Sequence, residues 1–391
     1  MRILMYSHDS YGLGHLRRTL ALAEAFVEYD SETNVLILTG STISGAYRMS
    51  KGIDLIKLPS AVKVDNGAYE ADRMSVNFEA LKDLRTGLIR SAAEIFDPDV
   101  FVVDKAPLGM KGEVEETLRF LREERPGTRT ILGLRDVMDD PEYVRKSWER
   151  KNMPESIEKY YDLVLVYGPR EVYDPLPLYG LSKETLDKTH YVGYVGKRQG
   201  LQAVSDLPFE PGYVLVTAGG GGDGFELVKS YLEGLAISEP DFDSLIVTGP
   251  LMDDEQKREL EKLAKGVRAR VLEFRADMEN IIQGAGAVVA MGGYNTTTEL
   301  LASRKPSVIV PRVKPRVEQL IRAERLAEMG LIDMIHPDDL SPELMRAKVE
   351  DLLESRRSPR VRAIVDFSGA KRAVEMVWWS VHGERQTAMG A

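Results

Sequence analysis

The 391-residue chain contains no cysteine, so it can form no disulfide, no thiolate metal site and no cysteine nucleophile. It has no run of about 18 apolar residues, which a membrane-spanning helix needs, and its first apolar run stops at His8, too soon for the core of a signal peptide. It also lacks a basic excess, because the formal charge is -10 at pH 7, which argues against binding to nucleic acid. These absences predict a cytoplasmic protein.

The length and the order of the apolar segments indicate two α/β domains. Single hydrophobic cores stop growing at roughly 250 to 300 residues, so this chain is long enough for two. Short β-rich runs alternate with helical segments, which is typical of parallel strands joined by crossover helices. We predict strands at residues 2–7, 34–39, 53–58, 99–104, 129–134, 162–167, 212–217, 244–249, 270–274, 285–291 and 306–311, and helices at 225–236 and 318–329.

Residues 189–212 are rich in glycine and proline and show no helical period, which predicts a linker. We therefore place the first domain at residues 1–200 and the second at residues 201–370. The last segment, residues 371–391, contains KRAVEMVWWSV, which fits either a helix that packs back on the first domain or one that contacts a membrane surface. Each half begins with a buried strand, a glycine loop and a helix, as in doubly wound folds whose ligands bind beyond the carboxyl ends of the strands.

Two glycine loops follow predicted strands in the second half. In VLVTAGGGGDGFELV, Gly219, Gly220 and Gly221 let the backbone approach a ligand closely. Gly219, Gly221 and Gly224 also match the dinucleotide pattern G-x-G-x-x-G. The next strand, which ends near Thr248, lacks the acidic residue that holds a ribose in NAD or FAD sites, so we expect no dinucleotide cofactor.

The second loop, in AVVAMGGYNTTTELL, leads through Gly292 and Gly293 into a helix, and we expect Asn295–Thr297 to cap that helix. Amides at a helix N-terminus, together with the helix dipole, suit a phosphate or diphosphate. Glu299 lies farther along the same helix. It either accepts hydrogen bonds from ribose hydroxyls or only favours the helix dipole.

A basic loop precedes another predicted helix start, at Glu318 and Gln319. A carboxylate beside an amide suits a polyhydroxylated ligand, because the pair offers both donors and acceptors. Arg312, Lys314 and Arg316 in the loop either balance a diphosphate or are solvated.

The stretch SHDSYGLGHLRR (residues 7–18) ends the first predicted strand and places His15 where a helix begins. An imidazole can take a proton from a hydroxyl near neutral pH. His15 could instead bind phosphate oxygens or satisfy only local groups. Asp104, which ends another strand, is a rival base that Lys105 could keep paired. Arg17 and Arg18 either face an anionic acceptor or lie on the surface, and Arg135 and Asp136 end a further strand on the same side.

Three ordered stretches of the second half resemble the nucleotide-binding domain of GT-B glycosyltransferases. They are VLEFRADMENII (271–282), AVVAMGGYNTTTELLASRKPSVIVPRV (287–313) and VEQLIRAERL (317–326). The likeness is to the branch with the peptidoglycan N-acetylglucosaminyltransferase and the plant galactolipid synthases. In the first half, Gly12, Gly14 and His15 match the end of that family's N-terminal loop. The chain also resembles a bacterial group described only as predicted glycosyltransferases, so the resemblance does not identify the acceptor.

The resemblance implies an α/β fold with two Rossmann-like doubly wound domains that face each other across a cleft, a GT-B arrangement. The first domain would bind the acceptor and the second the nucleotide sugar. The implied donor-binding residues are Gly219, Gly220, Gly221, Gly292, Gly293, Tyr294, Asn295 and Thr296 near the diphosphate, Phe274 and Arg275 at the base, Glu299 at the ribose, and Glu318 and Gln319 at the sugar. On the acceptor side they are Gly12, Gly14, Arg17 and Arg135, with His15 or Asp104 as the catalytic base.

We therefore expect a glycosyltransferase that moves a sugar from a nucleotide diphosphate donor, UDP-linked, to a hydroxyl of a glycan, lipid or small molecule, with inversion. We expect no metal and no cofactor, since the nucleotide sugar is a substrate and helix amides can stabilise the leaving diphosphate. The letters DPD (97–99) and DFD (241–243) match the metal motif of another glycosyltransferase fold, but they precede strands, away from the ligand edge. A nucleotide-sugar epimerase or hydrolase on the same fold, a non-catalytic nucleotide-sugar-binding protein, and peripheral contact with the inner membrane face stay open.

Overall fold

The computed structural model describes residues 1–8, 14–42, 44–46, 49–65, 68–196, 207, 209–275, 277–355 and 365–388. The chain divides into two compact units, each treated separately below. The first contains Met1–Arg170, Asp174–Gly196 and Asp366–Ala391, and the second contains Glu171–Tyr173 and Lys197–Val365. The boundary predicted near residue 200 lies outside the described residues.

The first unit is built around a parallel sheet. Its strands are β1 (Arg2–Ser7), β2 (Asn34–Thr39), β3 (Ile53–Lys57), β4 (Ala61–Asp65), β5 (Ala68–Ala71), β6 (Val100–Asp104), β7 (Arg129–Arg135), β8 (Leu163–Tyr167) and β9 (Thr189–Tyr191). Its first helices are α1 (Gly14–Tyr29), α2 (Phe78–Phe96), α3 (Glu115–Glu124), α4 (Pro141–Glu149), α5 (Met153–Tyr160) and α6 (Lys183–Asp187). The sheet has the order β3-β2-β1-β6-β7-β8-β9, and β4 and β5 pair separately as an antiparallel hairpin.

The second unit repeats this architecture. Its strands are β10 (Val214–Thr217), β11 (Ser244–Val247), β12 (Ala269–Leu272), β13 (Ala287–Ala290), β14 (Ser307–Ile309) and β15 (Asp333–Met334), in the sheet order β12-β11-β10-β13-β14-β15. Its helices are α7 (Phe225–Ile237), α8 (Asp254–Ala264), α9 (Met278–Gly284), α10 (Tyr294–Ser303), α11 (Glu318–Glu328) and α12 (Pro342–Ser355).

In each sheet the strand order reverses beside the first strand of the unit. β1 lies between β2 and β6, and β10 lies between β11 and β13, with all these pairs parallel. In each unit the chain first adds strands on one side of the central strand, β1 or β10, and later adds strands on its other side. Such a switch point opens a crevice at the carboxyl ends of the two central strands, which is where ligands bind in doubly wound sheets.

The last helix, α13 (Gly369–Ala388), belongs to the first unit. The ring of Trp378 lies 5.3 Å from that of Tyr29 on α1, and Arg129 of β7 donates a hydrogen bond of 3.1 Å to the carbonyl of Ser380. The neighbouring Trp379 is 74% exposed. Within the described residues, no helix is both long enough and apolar enough to span a membrane.

Every strand that the sequence predicts is confirmed, with bounds that agree within two residues. The strands β6, β8, β10 and β13 are buried along their whole length, because helices cover both faces of a parallel sheet, and this explains their continuous apolar runs. The linker predicted from residue 189 is wrong at its start, since Thr189–Tyr191 form β9. That strand is three residues long and lies at a sheet edge beside β8, too short to show a pattern of its own.

Candidate active site

The predicted base residues of the first unit lie at the switch point between β1 and β6. His15 is the second residue of α1, and Asp104 is the last residue of β6. Nδ1 of His15 and Oδ2 of Asp104 are hydrogen-bonded, and both side chains are buried. The sequence presents these residues as rival bases, but the structure joins them in one hydrogen bond.

Arg18 completes this cluster. Its Nε and Nη2 donate to Oδ1 of Asp104 at 3.0 and 2.5 Å, and its guanidinium lies 5.4 Å from the centre of the Tyr167 ring. Only 2% of Arg18 is exposed, so of the two alternatives for this residue the surface position is wrong. Residues three apart on a helix share a face, and Arg18 therefore reaches the same carboxylate as His15.

Electrostatics favour an ionised Asp104 and a neutral His15. Burial alone would raise the pKa of Asp104, but Arg18 and His15 outweigh it and hold that pKa well below its ordinary value. Burial lowers the pKa of His15, and Lys105 and Arg18 lower it further, against the opposing effect of Asp104. A neutral His15 then donates its Nδ1–H to Asp104 and keeps a lone pair on Nε2. That is the form that a general base requires.

The neighbouring strands support this cluster by close packing. A Cβ on Gly133 would lie 2.1 Å from the hydroxyl oxygen of Tyr167, so the Tyr167 ring occupies the space that any other residue at 133 would fill. That same ring lies against Arg18. Because Gly133 of β7 has no side chain, Tyr167 of β8 has room to pack against Arg18, which in turn binds Asp104.

The sequence analysis missed His8 as a site residue. His8 directly follows β1 and is 8% exposed, and its ring meets that of His15 edge-on with centroids 5.7 Å apart. Burial, followed by the charge of Lys105, lowers its pKa well below the ordinary value. Its position at the carboxyl end of the central strand was the available signal.

A buried ion pair lies next to His8. The Tyr6 ring centroid is 6.4 Å from that of His8, and the Tyr6 hydroxyl donates to Oε1 of Glu113 at 2.6 Å. Arg85 donates two hydrogen bonds of 2.7 Å to the same carboxylate. The charge of Glu113 is therefore neutralised within this cluster.

The remaining acceptor-side residues are only partly described. Gly14 is the first residue of α1, Arg17 is half-buried one turn along it, and Arg135 is the half-buried last residue of β7. Asp136 is buried and accepts a hydrogen bond of 2.7 Å from the backbone of Val137. Gly12 lies outside the described residues. The acceptor-side roles of these residues stay predictions.

In the second unit, the two predicted glycine loops meet at the switch point between β10 and β13. A Cβ on Gly219 would come within 3.9 Å of Oγ1 of Thr296, and one on Gly293 would meet no atom within 4 Å. Backbone at Gly219 and Gly293 is thus open to a ligand. Gly221, by contrast, is packed, since its Cβ would lie 2.5 Å from the carbonyl oxygen of Thr248.

The expected caps of α10 are wrong. The N-cap is Gly293, in extended conformation, and no side chain caps the helix. The helix therefore begins at Tyr294, which puts Asn295–Thr297 inside its first turn. The first amides of a helix have no acceptor within it, so this end suits an anion.

Arg322, which the sequence analysis also missed, supports the same loop from α11. It is 1% exposed, donates a hydrogen bond of 2.9 Å to the carbonyl of Gly292, and lies 5.8 Å from the Tyr294 ring. Arg322 thus fixes the turn before α10 and brings positive charge close to it.

The predicted sugar-binding pair at the start of α11 is tied to Arg312. The guanidinium of Arg312 pairs with Glu318, which is 5% exposed, and with Asp223 at 3.2 Å. The backbone N–H of Arg312 donates to Oε1 of Gln319 at 3.1 Å. Arg312 therefore bridges two carboxylates, and its backbone N–H holds the side-chain oxygen of Gln319.

The residues predicted at the base and ribose lie near the same sheet edge. Phe274 follows β12 and is 41% exposed, while Arg275 donates two hydrogen bonds of 2.8 Å to Asp277. Glu299 is half-buried in α10. Their contacts with a donor stay predictions.

Both D-x-D sequences lie at amino ends of strands, where the sequence analysis places them. Asp97 pairs with Arg2 at 2.8 Å before β6, and Asp243 pairs with Arg268 at 2.9 Å before β11. In the part of the chain that the structure describes, no group of three or more histidine and carboxylate side chains is arranged to hold a metal ion.

Residues 213–375 match the family model for the glycosyltransferase family 28 C-terminal domain. An uncharacterized glycosyltransferase of Methanosarcina mazei is 24% identical over 94% of this chain and 95% of its own length. One of Methanopyrus kandleri is 29% identical over 44% of this chain, but the match spans only 46% of that relative. The UDP-N-acetylglucosamine--N-acetylmuramyl-(pentapeptide) pyrophosphoryl-undecaprenol N-acetylglucosamine transferase of Anaeromyxobacter sp. is 32% identical over 30% of this chain and 33% of its own.

Solved structures show the same fold at low identity. TcCGT1 in complex with UDP has a TM-score of 0.64 at 14% identity, covering 96% of this chain and 98% of that one. MurG of Acinetobacter baumannii has 0.60 at 12%, covering 96% and 99%. The glycosyltransferase VinC in complex with DTDP has 0.60 at 16%, covering 96% and 94%. Fold and sequence agree: the chain has the GT-B fold of these glycosyltransferase structures, residues 213–375 match a glycosyltransferase family 28 domain, and the chain resembles the MurG branch.

Proposed function

We propose that this enzyme transfers a sugar from a UDP-linked donor to a hydroxyl acceptor, without a metal and with inversion at the anomeric carbon. The observation that carries the proposal is the His15–Asp104 hydrogen bond, with Arg18 on the same carboxylate. It supplies a buried neutral imidazole at the edge of the sheet where ligands bind.

In the proposed reaction, the acceptor hydroxyl gives its proton to Nε2 of His15 while its oxygen attacks the anomeric carbon. The bond from that carbon to the diphosphate oxygen breaks, and UDP leaves with the electron pair. Attack opposite the leaving group inverts the anomeric configuration. The ionised Asp104 stabilises the imidazolium that forms, and general-base catalysis of this kind contributes about 10² to 10⁴-fold.

The proposed donor site is the loop pair of the second unit. Backbone from Gly293 to Thr296 would bind the diphosphate and stabilise it as it leaves. Glu299 would accept hydrogen bonds from ribose hydroxyls, Phe274 would lie against the base, and the amide of Gln319 would donate to the sugar. UDP in TcCGT1 and the UDP-sugar of the Anaeromyxobacter relative support uracil, while DTDP in VinC makes thymine the comparison to test.

The proposed acceptor is a hydroxyl group of a glycan, a lipid or a small molecule. A cytoplasmic location with peripheral contact at the inner membrane face is part of the proposal. The exposed Trp379 on α13 is a side chain suited to such contact.

Turnover of a panel of nucleotide sugars with mixed hydroxyl acceptors tests this function. We expect His15→Gln to lose about 10² to 10⁴-fold in kcat while it still binds UDP, and Glu299→Ala to weaken UDP binding. His190→Gln, in β9, is the matched control and should behave as wild type.

Two results would count against the proposal. Wild-type turnover that survives in His15→Gln would remove His15 as the base. Isomerised or hydrolysed donor, with no acceptor product from any panel member, would indicate an epimerase or hydrolase instead.

A further inference from the structure

His8 is a buried imidazole that the proposed mechanism does not use. It lies at the carboxyl end of β1, with 8% of its surface exposed and its ring edge-on to that of His15. Its Nδ1 is enclosed and has no hydrogen-bond partner within the described residues. A buried polar atom without a partner needs an explanation.

The enclosed Nδ1 decides where the proton of a neutral His8 resides. One ring nitrogen of a neutral imidazole carries hydrogen and the other carries a lone pair. Among the described residues a proton on Nδ1 would find no acceptor, and a buried N–H group without an acceptor is costly. The proton therefore lies on Nε2, and His8 is a hydrogen-bond donor through that atom.

His15 has the opposite arrangement. Its Nδ1 is hydrogen-bonded to Asp104, which is ionised and can only accept, so the proton of His15 lies on Nδ1 and the lone pair on Nε2. Nη2 of Arg18 also lies 3.2 Å from this Nδ1, but it donates at the shorter distance of 2.5 Å to Oδ1 of Asp104. The two neighbouring rings thus offer different functions: His15 offers an acceptor and His8 offers a donor.

We propose that His8 and His15 carry opposite tautomers and together bind two adjacent oxygen atoms of the acceptor, so that the acceptor is a polyol or a sugar rather than an isolated alcohol. His15 Nε2 receives the proton of the reacting hydroxyl, and His8 Nε2–H donates to the oxygen on the neighbouring carbon. The substrate class rests on the proposed function, but the tautomers do not.

The charges around His8 support its neutral form. Lys105 and Arg85 are cations and disfavour a second positive charge, as His15 would if protonated, while Asp104 acts in the opposite direction. Asp104 is already paired with Arg18 and His15, and Glu113 with Arg85. His8 forms no ion pair with either carboxylate among the described contacts.

Nitrogen NMR of the full chain with ¹⁵N-labelled histidine tests the tautomers directly. We expect a protonated Nε2 on His8 and a protonated Nδ1 on His15 from pH 6 to pH 8, with His8→Gln and His15→Gln used to assign the signals. A proton on Nδ1 of His8, or a charged His8 in this range, would overturn the proposal.

Kinetics with octyl β-D-glucoside and 1-octanol test the substrate class. We expect wild type to prefer the glucoside and His8→Leu to lose about 10-fold more in kcat/KM for the glucoside than for the alcohol. Glutamine can place a donor nitrogen near the position of Nε2, so His8→Gln should keep more of the preference for the glucoside than His8→Leu does. His190→Leu is the control for loss of an imidazole elsewhere.

Equal use of both alcohols by wild type, or equal loss for both in His8→Leu, would overturn the role of His8 in acceptor choice. Lack of turnover with every nucleotide sugar would instead overturn the proposed function, and the NMR result would still decide the tautomers.

Discussion

A single buried carboxylate organises the chemistry of the first unit. Asp104 accepts from Arg18 and from His15, so its negative charge serves two groups that are three residues apart on α1. Arg18 keeps Asp104 ionised, and the ionised Asp104 fixes the ring of His15. The protonation state of His15 therefore depends on Arg18, a buried residue that takes no direct part in the proposed reaction.

The pH dependence of turnover follows from the lowered pKa of His15. Because the folded protein favours the neutral imidazole, His15 becomes protonated only below its ordinary pKa of about 6.5. We expect kcat/KM to stay level from neutral pH to below pH 6 and then to fall as acid protonates the base. A profile measured from pH 4 to pH 9 checks this, with circular dichroism at each pH to exclude unfolding. An acidic limb at or above pH 6.5 would contradict the buried neutral imidazole.

Individual site residues were predictable where position alone identified them. His15 and Asp104 follow strands that the sequence marks clearly, so both could be named. His8 could have been named in the same way, from its position at the end of β1. The burial of Arg18 and the role of Arg322 could not, because they depend on partners far away in sequence: Asp104 lies 86 positions after Arg18. Pattern and composition carry no information about such pairs.

At the scale of elements, the glycines of the loop at residues 219–222 differ in how tightly they are packed. Gly221 has a φ of +100°, and its Cβ would lie 2.5 Å from the carbonyl oxygen of Thr248, so close packing of the loop after β10 against the loop after β11 requires glycine. Gly220 is less constrained, since its Cβ would meet only Cδ1 of Leu251, at an ordinary 3.5 Å.

Replacement of each of these two glycines by alanine tests which of them the packing of the loop requires. We expect Gly221→Ala to lower the free energy of unfolding by about 2 kcal/mol or more, through a disfavoured backbone conformation and a steric clash. Gly220→Ala should change it by less than about 1 kcal/mol. Urea denaturation of the full chain measures both. Equal stability of the two variants would show that the loop does not need glycine at 221.

The sequence located long elements well and short ones poorly. Strands buried on both faces are recognisable as apolar runs. By contrast, β15 has only two residues, and β5 alternates exposed and half-buried positions without a strong apolar pattern. The start of α10 was misjudged for a different reason. Asn295, Thr296 and Thr297 are good capping residues, but Gly293 is the N-cap and the helix begins at Tyr294, before them.

On the scale of the whole molecule, the same architecture occurs in both units, and each places its candidate site at a switch point. The family match covers residues 213–375 and so falls mainly on the second unit. In our proposal a shared nucleotide donor explains why that part is recognisable, since its diphosphate would require similar loops in related enzymes. The first unit binds the acceptor in our proposal, and acceptors differ more widely.

Binding of a nucleotide should therefore stabilise the molecule through the second unit. At 100 times its dissociation constant, a ligand that binds only the folded state adds about 2.7 kcal/mol to the free energy of unfolding. We expect UDP to do so and UMP to do less, because in our proposal the helix amides bind the diphosphate.

Hydrogen exchange of the full chain, with and without saturating UDP, shows where that stabilisation arises. We expect slower exchange at residues 218–222, in the loop after β10, and at residues 292–298, which include the turn before α10 and its first residues. Glu299→Ala should reduce the protection at an equal UDP concentration, since it would remove the ribose contact and weaken binding. Protection confined to the first unit, or equal protection by UMP and UDP, would mean that the diphosphate binds elsewhere than at the N-terminus of α10.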